Sequence, residues 1–189
     1  MTGGQRVTGY RIEGHAIVSE DERIAGPDGR TPATLHNGAD WRRFQAALDA
    51  SAVVFLGRLS HEANPNKNRR NRLVVSSSAT GIEQRDDGWW WNPVEVPLGG
   101  ALWAAAPAGG IAAVTGGRMV FDLVLDSLDA FHLATVQGVR VAGGVPLFSA
   151  IGPGRGAADV LAAAGLRPGS REILDAKARV GLVTWRRAE

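Results

Sequence analysis

Two apolar runs constrain this chain more than any other feature. AVVFLGRLS (Ala52–Ser60) and IAAVTGGRMVFDLVL (Ile111–Leu125) are continuous stretches of aliphatic and aromatic residues, broken by glycine at Gly57 and at Gly116-Gly117. Arg58 follows the first break and Arg118 the second. A run that is apolar at every position is the pattern of a strand buried on both faces, and such strands belong to parallel sheets covered by helices. A strand end, a glycine turn and a helix start together aim backbone N–H groups and an arginine at one place. α/β proteins hold the phosphates of a nucleotide in this way.

The rest of the chain alternates in the same manner. Arg11–Val18 reads as a strand and Asp40–Ala50 as a helix, with Trp41, Phe44 and Leu48 on one face and Asp40 at the N-cap. Strands are predicted over Ala52–Leu56, Arg72–Val75, Ile111–Thr115 and Ala130–Thr135, and helices over Ala101–Ala106, Arg118–Leu125 and Ala157–Ala164. Val139–Phe148 reads as extended, and Arg171–Asp175 with Val180–Arg186 as a terminal hairpin. Glu22–Gly38, rich in Gly, Pro and Thr without a period, reads as a long loop. Loops of that length in small domains are often functional. The expected architecture is a single α/β domain over residues 1–189, with a mostly parallel central sheet and an antiparallel C-terminal edge.

Composition excludes several classes. The 189 residues suffice for one sizeable core. No apolar run approaches the ~20 residues of a spanning helix, so no membrane partner is expected. MTGGQRVTGY has no basic-then-apolar signal pattern and the chain has no cysteine, which together predict a cytoplasmic protein. The net charge of +2 does not call for nucleic acid. The basic cluster KNRRNR (Lys67–Arg72) reads either as a solvated loop or as a site for an anionic group; no aromatic residues interleave with it, so nucleic acid is not indicated. His15, His36, His61 and His132 show no metal-ligand spacing, and no metal is expected.

Four places can carry chemistry. Gly57-Arg58 offers a sharp turn and a planar fork of donors suited to phosphate, with Ser60 as a cap for the helix behind it. Gly116-Gly117 allows close backbone approach at a helix N-terminus, although it is not the GxGxxG fingerprint. Asp40 is flanked by Ala39, Trp41 and Phe44. It reads either as an N-cap or as a pocket-wall carboxylate that binds a cationic or amidine-like substrate and relays a proton. Trp89-Trp90-Trp91 cannot all face one way in an extended segment; they read as core packing or as an aromatic lid over a flat substrate.

In order, these segments resemble the dihydrofolate reductase superfamily, which includes the reductase domain of riboflavin biosynthesis. AIVSEDERIA (Ala16–Ala25) resembles its first strand and mobile loop, and NGADWRRFQ (Asn37–Gln45) the helix bearing its acidic residue. VVFLGRLSHEANP (Val53–Pro65) is similar to the strand and turn of its arginine motif, and VVSSSA (Val74–Ala79) to its serine-bearing strand. AAVTGGRMVFDLVL (Ala112–Leu125) resembles the glycine turn on the cofactor pyrophosphate, and FHLATVQGVRVAGGVPLF (Phe131–Phe148) the family's LT…GD…FP segment. Several features depart from the pattern: a longer loop without a tryptophan before the acidic helix, Gly144 in place of an aspartate, and a family threonine matched by either Ala134 or Thr135.

The resemblance implies a three-layer α/β/α fold and NADPH-dependent reduction of a small molecule, a pterin or related heterocycle, by a monomer or homodimer. Asp40 would bind the ring and assist its protonation, beside Phe44 and Thr135. Backbone groups at Ala16 and Ile17 would meet the nicotinamide. Arg58 with Ser76 or Ser77 would bind the adenosine 2′-phosphate. Gly57, Leu59, Ser60, Gly116, Gly117, Arg118 and Met119 would line the pyrophosphate. Reduction of a ribosylamino-pyrimidine phosphate is the implied alternative, with Arg30, Arg42 or Arg43 supplying charge. A non-catalytic NADP-binding module is another.

Overall fold

The two all-apolar runs lie side by side at the centre of a nine-stranded sheet. The computed structural model describes residues 6–188; Met1–Gln5, part of the segment read for a signal, and Glu189 lie outside it. In chain order the elements are β1 (Tyr10–Ser19), β2 (Arg23–Ala25), α1 (Gly38–Asp49), β3 (Val53–Gly57), α2 (Arg58–Ala63), β4 (Arg72–Val75), β5 (Ile82–Arg85) and β6 (Gly88–Trp91). They continue with α3 (Leu98–Ala105), β7 (Gly110–Gly116), α4 (Arg118–Val124), β8 (Ala130–Val136), β9 (Val145–Pro146), α5 (Ala157–Ala163), β10 (Leu166–Asp175) and β11 (Val180–Arg187).

The sheet order is β10-β11-β8-β1-β7-β3-β4-β6-β5. The six strands from β8 to β6 are parallel. The hairpin β10–β11 adds the expected antiparallel C-terminal edge, and β5 adds a second antiparallel edge beside β6. β2 and β9 form a separate small ribbon. Among the described residues no helix is long and apolar enough to cross a membrane.

Alternation along the strands sorts side chains onto two faces. One face carries Ile12, Val18, Val53, Phe55, Leu73, Val114 and Phe131 and packs under α3, α4 and α5 through Leu102, Phe121 and Leu161. The other carries Val54, Leu56, Val74 and Ala113 and packs under α1 through Phe44 and Leu48. The architecture is therefore three layers, α/β/α, as the apolar runs demanded.

Several local expectations change. Helix α1 begins at Gly38, because Asn37 is the N-cap: its side-chain oxygen accepts from the N–H groups of Ala39 and Asp40 at 3.0 and 3.1 Å. Asp40 is thus inside the first turn, with its carboxyl released from capping. Trp41 is 58% exposed and flanks the helix instead of joining its buried face. Trp90 and Trp91 are buried on opposite faces of β6, and Trp89 packs partly buried, so the three are core and not a lid. The Glu22–Gly38 segment holds β2 and a 3-10 turn (Ala33–Leu35) that seats Leu35 on β8 and β11. Only Val145–Pro146 of the stretch Val139–Phe148 is strand.

Candidate functional site

All six parallel strands end on the same side of the sheet, where ligands of open α/β folds collect. The pairing register identifies a split there. β1 pairs with β7 only from Tyr10 to Gly14, but with β8 from Glu13 to Ser19. Beyond Gly14 the β7 side of β1 is without a strand. Ile12 accepts a backbone bond from Asp129 at the start of β8, so even-numbered residues of β1 present their backbone groups to the β8 side. Odd-numbered residues face β7. The N–H and C=O of Ile17 therefore face the split. Ala16, its neighbour, points its backbone to β8 and pairs with Leu133.

Asp40 lies in the first turn of α1, the helix that covers one face of the sheet. It shares one side of α1 with Phe44 and Leu48, at spacings of one and two turns, and those residues pack on the sheet. Burial pushes its carboxyl up to about 6 against the opposing pull of the Arg43 guanidinium one turn further on. A carboxyl that is half protonated near pH 6 can bind a protonated or amidine-like ring as the anion and can release a proton as the acid. Asn37 fixes the helix start from outside as well, since its Nδ2 donates to Asp175 Oδ2 of β10 at 2.9 Å.

The residues expected at a nucleotide lie along the neighbouring strand ends. The register sets Gly57 beside Val75, so Arg58 and Ser76 follow from adjacent strands. Leu56 pairs with Gly116, which brings the second glycine turn alongside. Gly116 has φ +90°, and a Cβ there would meet Phe121 at 2.6 Å, so the turn admits only glycine. Gly117, the residue before α4, has open space where a side chain would be. Leu59 and Met119 are 70% and 79% exposed, an apolar rim on either side of the two turns. The donors, the open backbone at Gly117 and this rim fit a nucleotide cofactor.

Three details differ from expectation. Ser60 lies inside α2 and does not cap it; Gly57 is the residue before the helix. Ser76 is buried and its hydroxyl meets that of the exposed Ser78 at 2.7 Å, so of Ser76 and Ser77 it is Ser77 that is open to solvent. Arg58 Nη1 donates to Glu62 Oε1 at 2.9 Å, both being exposed, so its remaining donors are the ones available to an anion.

No family model matches the sequence, and no curated protein matches it. Solved structures do match the fold. A dihydrofolate reductase from Enterococcus faecalis, complexed with NADP(H) and RAB-propyl, superposes with TM-score 0.66 at 16% identity, over 98% of this chain and 100% of that one. The fold is that of dihydrofolate reductase. A diaminohydroxyphosphoribosylaminopyrimidine deaminase/5-amino-6-(5-phosphoribosylamino)uracil reductase from Thermotoga maritima gives TM-score 0.65 at 12% identity, over 95% of this chain and 57% of that longer one. A Shewanella sp. PV-4 protein named for riboflavin biosynthesis gives 0.61 at 17% identity, over 95% of this chain and 99% of that one.

Within this dihydrofolate reductase fold, the pairing resolves the threonine ambiguity. Ala134 pairs with Ile17 and packs with Val136, Leu35 and Leu182 on the α1 face. Thr135 falls on the opposite face with Leu133, so it does not join Asp40 and Phe44. Ala134 is on the α1 face, fully buried in the cluster with Leu35 and Leu182.

Sequence reasoning missed a polar group on the same face. His15 of β1 and His132 of β8 are register partners with stacked rings, 4.6 Å between centroids. The ring of His15 also lies 6.1 Å from that of Phe44. Ligand atoms of Glu13, His15 and His132 lie within 4.8 Å of one another. The hydrogen bonds argue against a metal there. Arg43 Nη2 meets His132 Nδ1 at 3.1 Å, and a guanidinium can only donate. The ring's proton is therefore on Nε2, where it donates to Glu13 Oε2 at 3.1 Å. A metal would need the atom that carries that proton. His15 is the odd member: its Nε2 is buried without a partner, and burial holds its imidazole down to about 3.

Proposed function

We propose that this chain is an NADPH-dependent reductase that reduces a C=N bond in a pterin or a related heterocycle, with Asp40 as the proton donor. The observation that carries the reading is a partly buried carboxyl in the first turn of α1, pushed by burial up to about 6. Bound NADPH would supply hydride to the carbon of the C=N bond. Asp40 would hold the ring through its carboxyl and deliver the proton that the nitrogen takes up. Ile17 would receive the nicotinamide carboxamide on its unpaired backbone N–H and C=O. Arg58 and Ser77 would bind the adenosine 2′-phosphate, and the open backbone at Gly117 the pyrophosphate. Phe44 and Trp41, with ring centroids 5.8 Å apart, would offer apolar surface to the ring. The likeness in fold to reductases, one of them solved with NADP(H), supports this reading.

Two assays test it. NADPH is titrated against tryptophan fluorescence with NADH as control; saturation that favours NADPH is expected, and no binding of either refutes the reading. NADPH oxidation is then followed with dihydrofolate and with 5-amino-6-(5-phosphoribosylamino)uracil. Turnover that rises as pH falls toward 6, and that Asp40→Asn abolishes without changing NADPH affinity, is the expected result.

A further inference from the structure

We propose that the partly buried chain Arg43–His132–Glu13 is a positioning device that holds the Arg43 guanidinium beside the Asp40 carboxyl. The inference rests on the reading of Asp40 as the proton donor. Its geometry runs across three elements, α1, β8 and β1. Each link has one direction. Arg43 donates to His132 Nδ1, His132 Nε2–H donates to Glu13 Oε2, and the Arg11 guanidinium forms an ion pair with Glu13, Nε to Oε1 2.6 Å. The Thr184 hydroxyl on β11 reaches His132 Nδ1 as well, at 3.2 Å. Aliphatic side chains would fill the same space at lower cost in desolvation, so the chain is not explained by stability alone.

The groups around Asp40 leave Arg43 as the one positive charge placed to act on it among the described residues. On β1, His15 is neutral and Glu13 is engaged by Arg11 and His132. On β8, His132 is held between Arg43 and Glu13. On β10, Asp175 is held by Asn37 and by the N–H of Ala178. On α1 itself, Arg42 is exposed.

The molecule also contains its own control. Arg72 Nη1 meets His61 Nδ1 at 3.1 Å, and His61 Nε2 meets Asp87 Oδ2 at 2.8 Å. This is the same relay built under α2, with no counterpart of Asp40 beside its arginine. If the first relay merely fastens helix to sheet, breaking either one should have the same consequences.

The experiment is a titration of the Asp40 carboxyl by carbon-detected NMR on the substrate-free protein, assigned with Asp40→Asn. His132→Phe keeps a ring against His15 and removes the group that holds Arg43. The Asp40 midpoint should rise by about half a pH unit or more, roughly a threefold gain in proton affinity. Arg43→Gln, at a half-exposed helix position, should raise it similarly even if His132→Phe does not fold, and Arg43→Lys should restore part of the difference. His61→Phe should leave the midpoint where it is. An unmoved midpoint in Arg43→Gln, or equal movement in His61→Phe, overturns the proposal. Because no substrate or cofactor is present, this outcome is independent of whether the chain is a reductase. If it is one, the alkaline limb of the turnover profile moves with the NMR midpoint.

Discussion

The placement of Asp40 carries a stability cost that can be measured without knowing any substrate. Its carboxyl ordinarily binds a proton at 3.8 and in the fold does so at about 6. Between those pH values the folded state holds more protons than the unfolded one, so stability falls as pH rises through that window. The cost is complete above pH 6 and absent below 3.8. At ~1.4 kcal/mol per pH unit the ceiling is about 3 kcal/mol. Solvent reaches the partly exposed carboxyl and screens it, which leaves about 1–2 kcal/mol. Asp40→Asn, which does not titrate, should remove the cost. For a chain of this length it should raise Tm by about 3–6 °C at pH 7.5 relative to its effect near pH 4. Comparing the variant with the parent at both pH values by calorimetry cancels any packing difference between amide and acid. An equal Tm difference at the two pH values, or a greater loss at pH 7.5, would refute the assignment of a desolvated acid.

Three further outcomes follow from other residues. Gly116→Ala places a Cβ 2.6 Å from the Phe121 ring at φ +90°; it should cost about 2–4 kcal/mol, read as a lower urea midpoint, because neither the backbone nor the ring can yield without loss. His15, held at about 3, is neutral in the fold where the unfolded chain would protonate it. Stability should therefore fall as pH drops below 6.5, and His15→Leu should flatten that decline in urea melts between pH 7.5 and 5. Arg58→Ala should weaken NADPH binding by roughly tenfold or more and leave NADH nearly unchanged, since a charge-assisted contact to the 2′-phosphate contributes about 1.5–3 kcal/mol; equal losses for both cofactors would remove Arg58 from that role.

Much of the fold was legible because parallel strands buried on both faces announce themselves without periodicity. Arg72–Val75 and the cores of β3, β7 and β8 fall where the apolar runs put them. The start of α1 was not legible, for a specific reason. Asn37 and Asp40 are both good capping residues, three positions apart, and only the contact of Asn37 with Asp175, 138 residues away, selects the first. β5 escaped notice because IEQR alternates weakly, and its place is set by the buried tryptophans of β6 beside it. Asp40 itself was legible from its apolar flanks. Thr135 was misplaced because a face assignment requires strand register, and a slip of one residue reverses every side chain.

The polar floor beneath α1 was invisible for a stronger reason: Arg43 is 89 residues from His132, and His132 is 119 from Glu13. Its location is nevertheless informative. On the α1 face the apolar side chains form two separate clusters, one on β3, β4 and β7 and the other on β8 and β11. The stripe between them, at β1 and β8, holds Glu13, His15 and His132. That stripe runs toward the split between β1 and β7 and lies beneath the turn of α1 that carries Asp40. A face built only for stability would have joined the two clusters across β1 with aliphatic residues. The fold keeps its hydrophobic pattern everywhere else on that face and breaks it where an acid, an arginine and an unpartnered imidazole converge. Local rules that fail at one place while holding around it mark a site shaped by chemistry. The buried Nε2 of His15 therefore belongs to the same construction as Asp40.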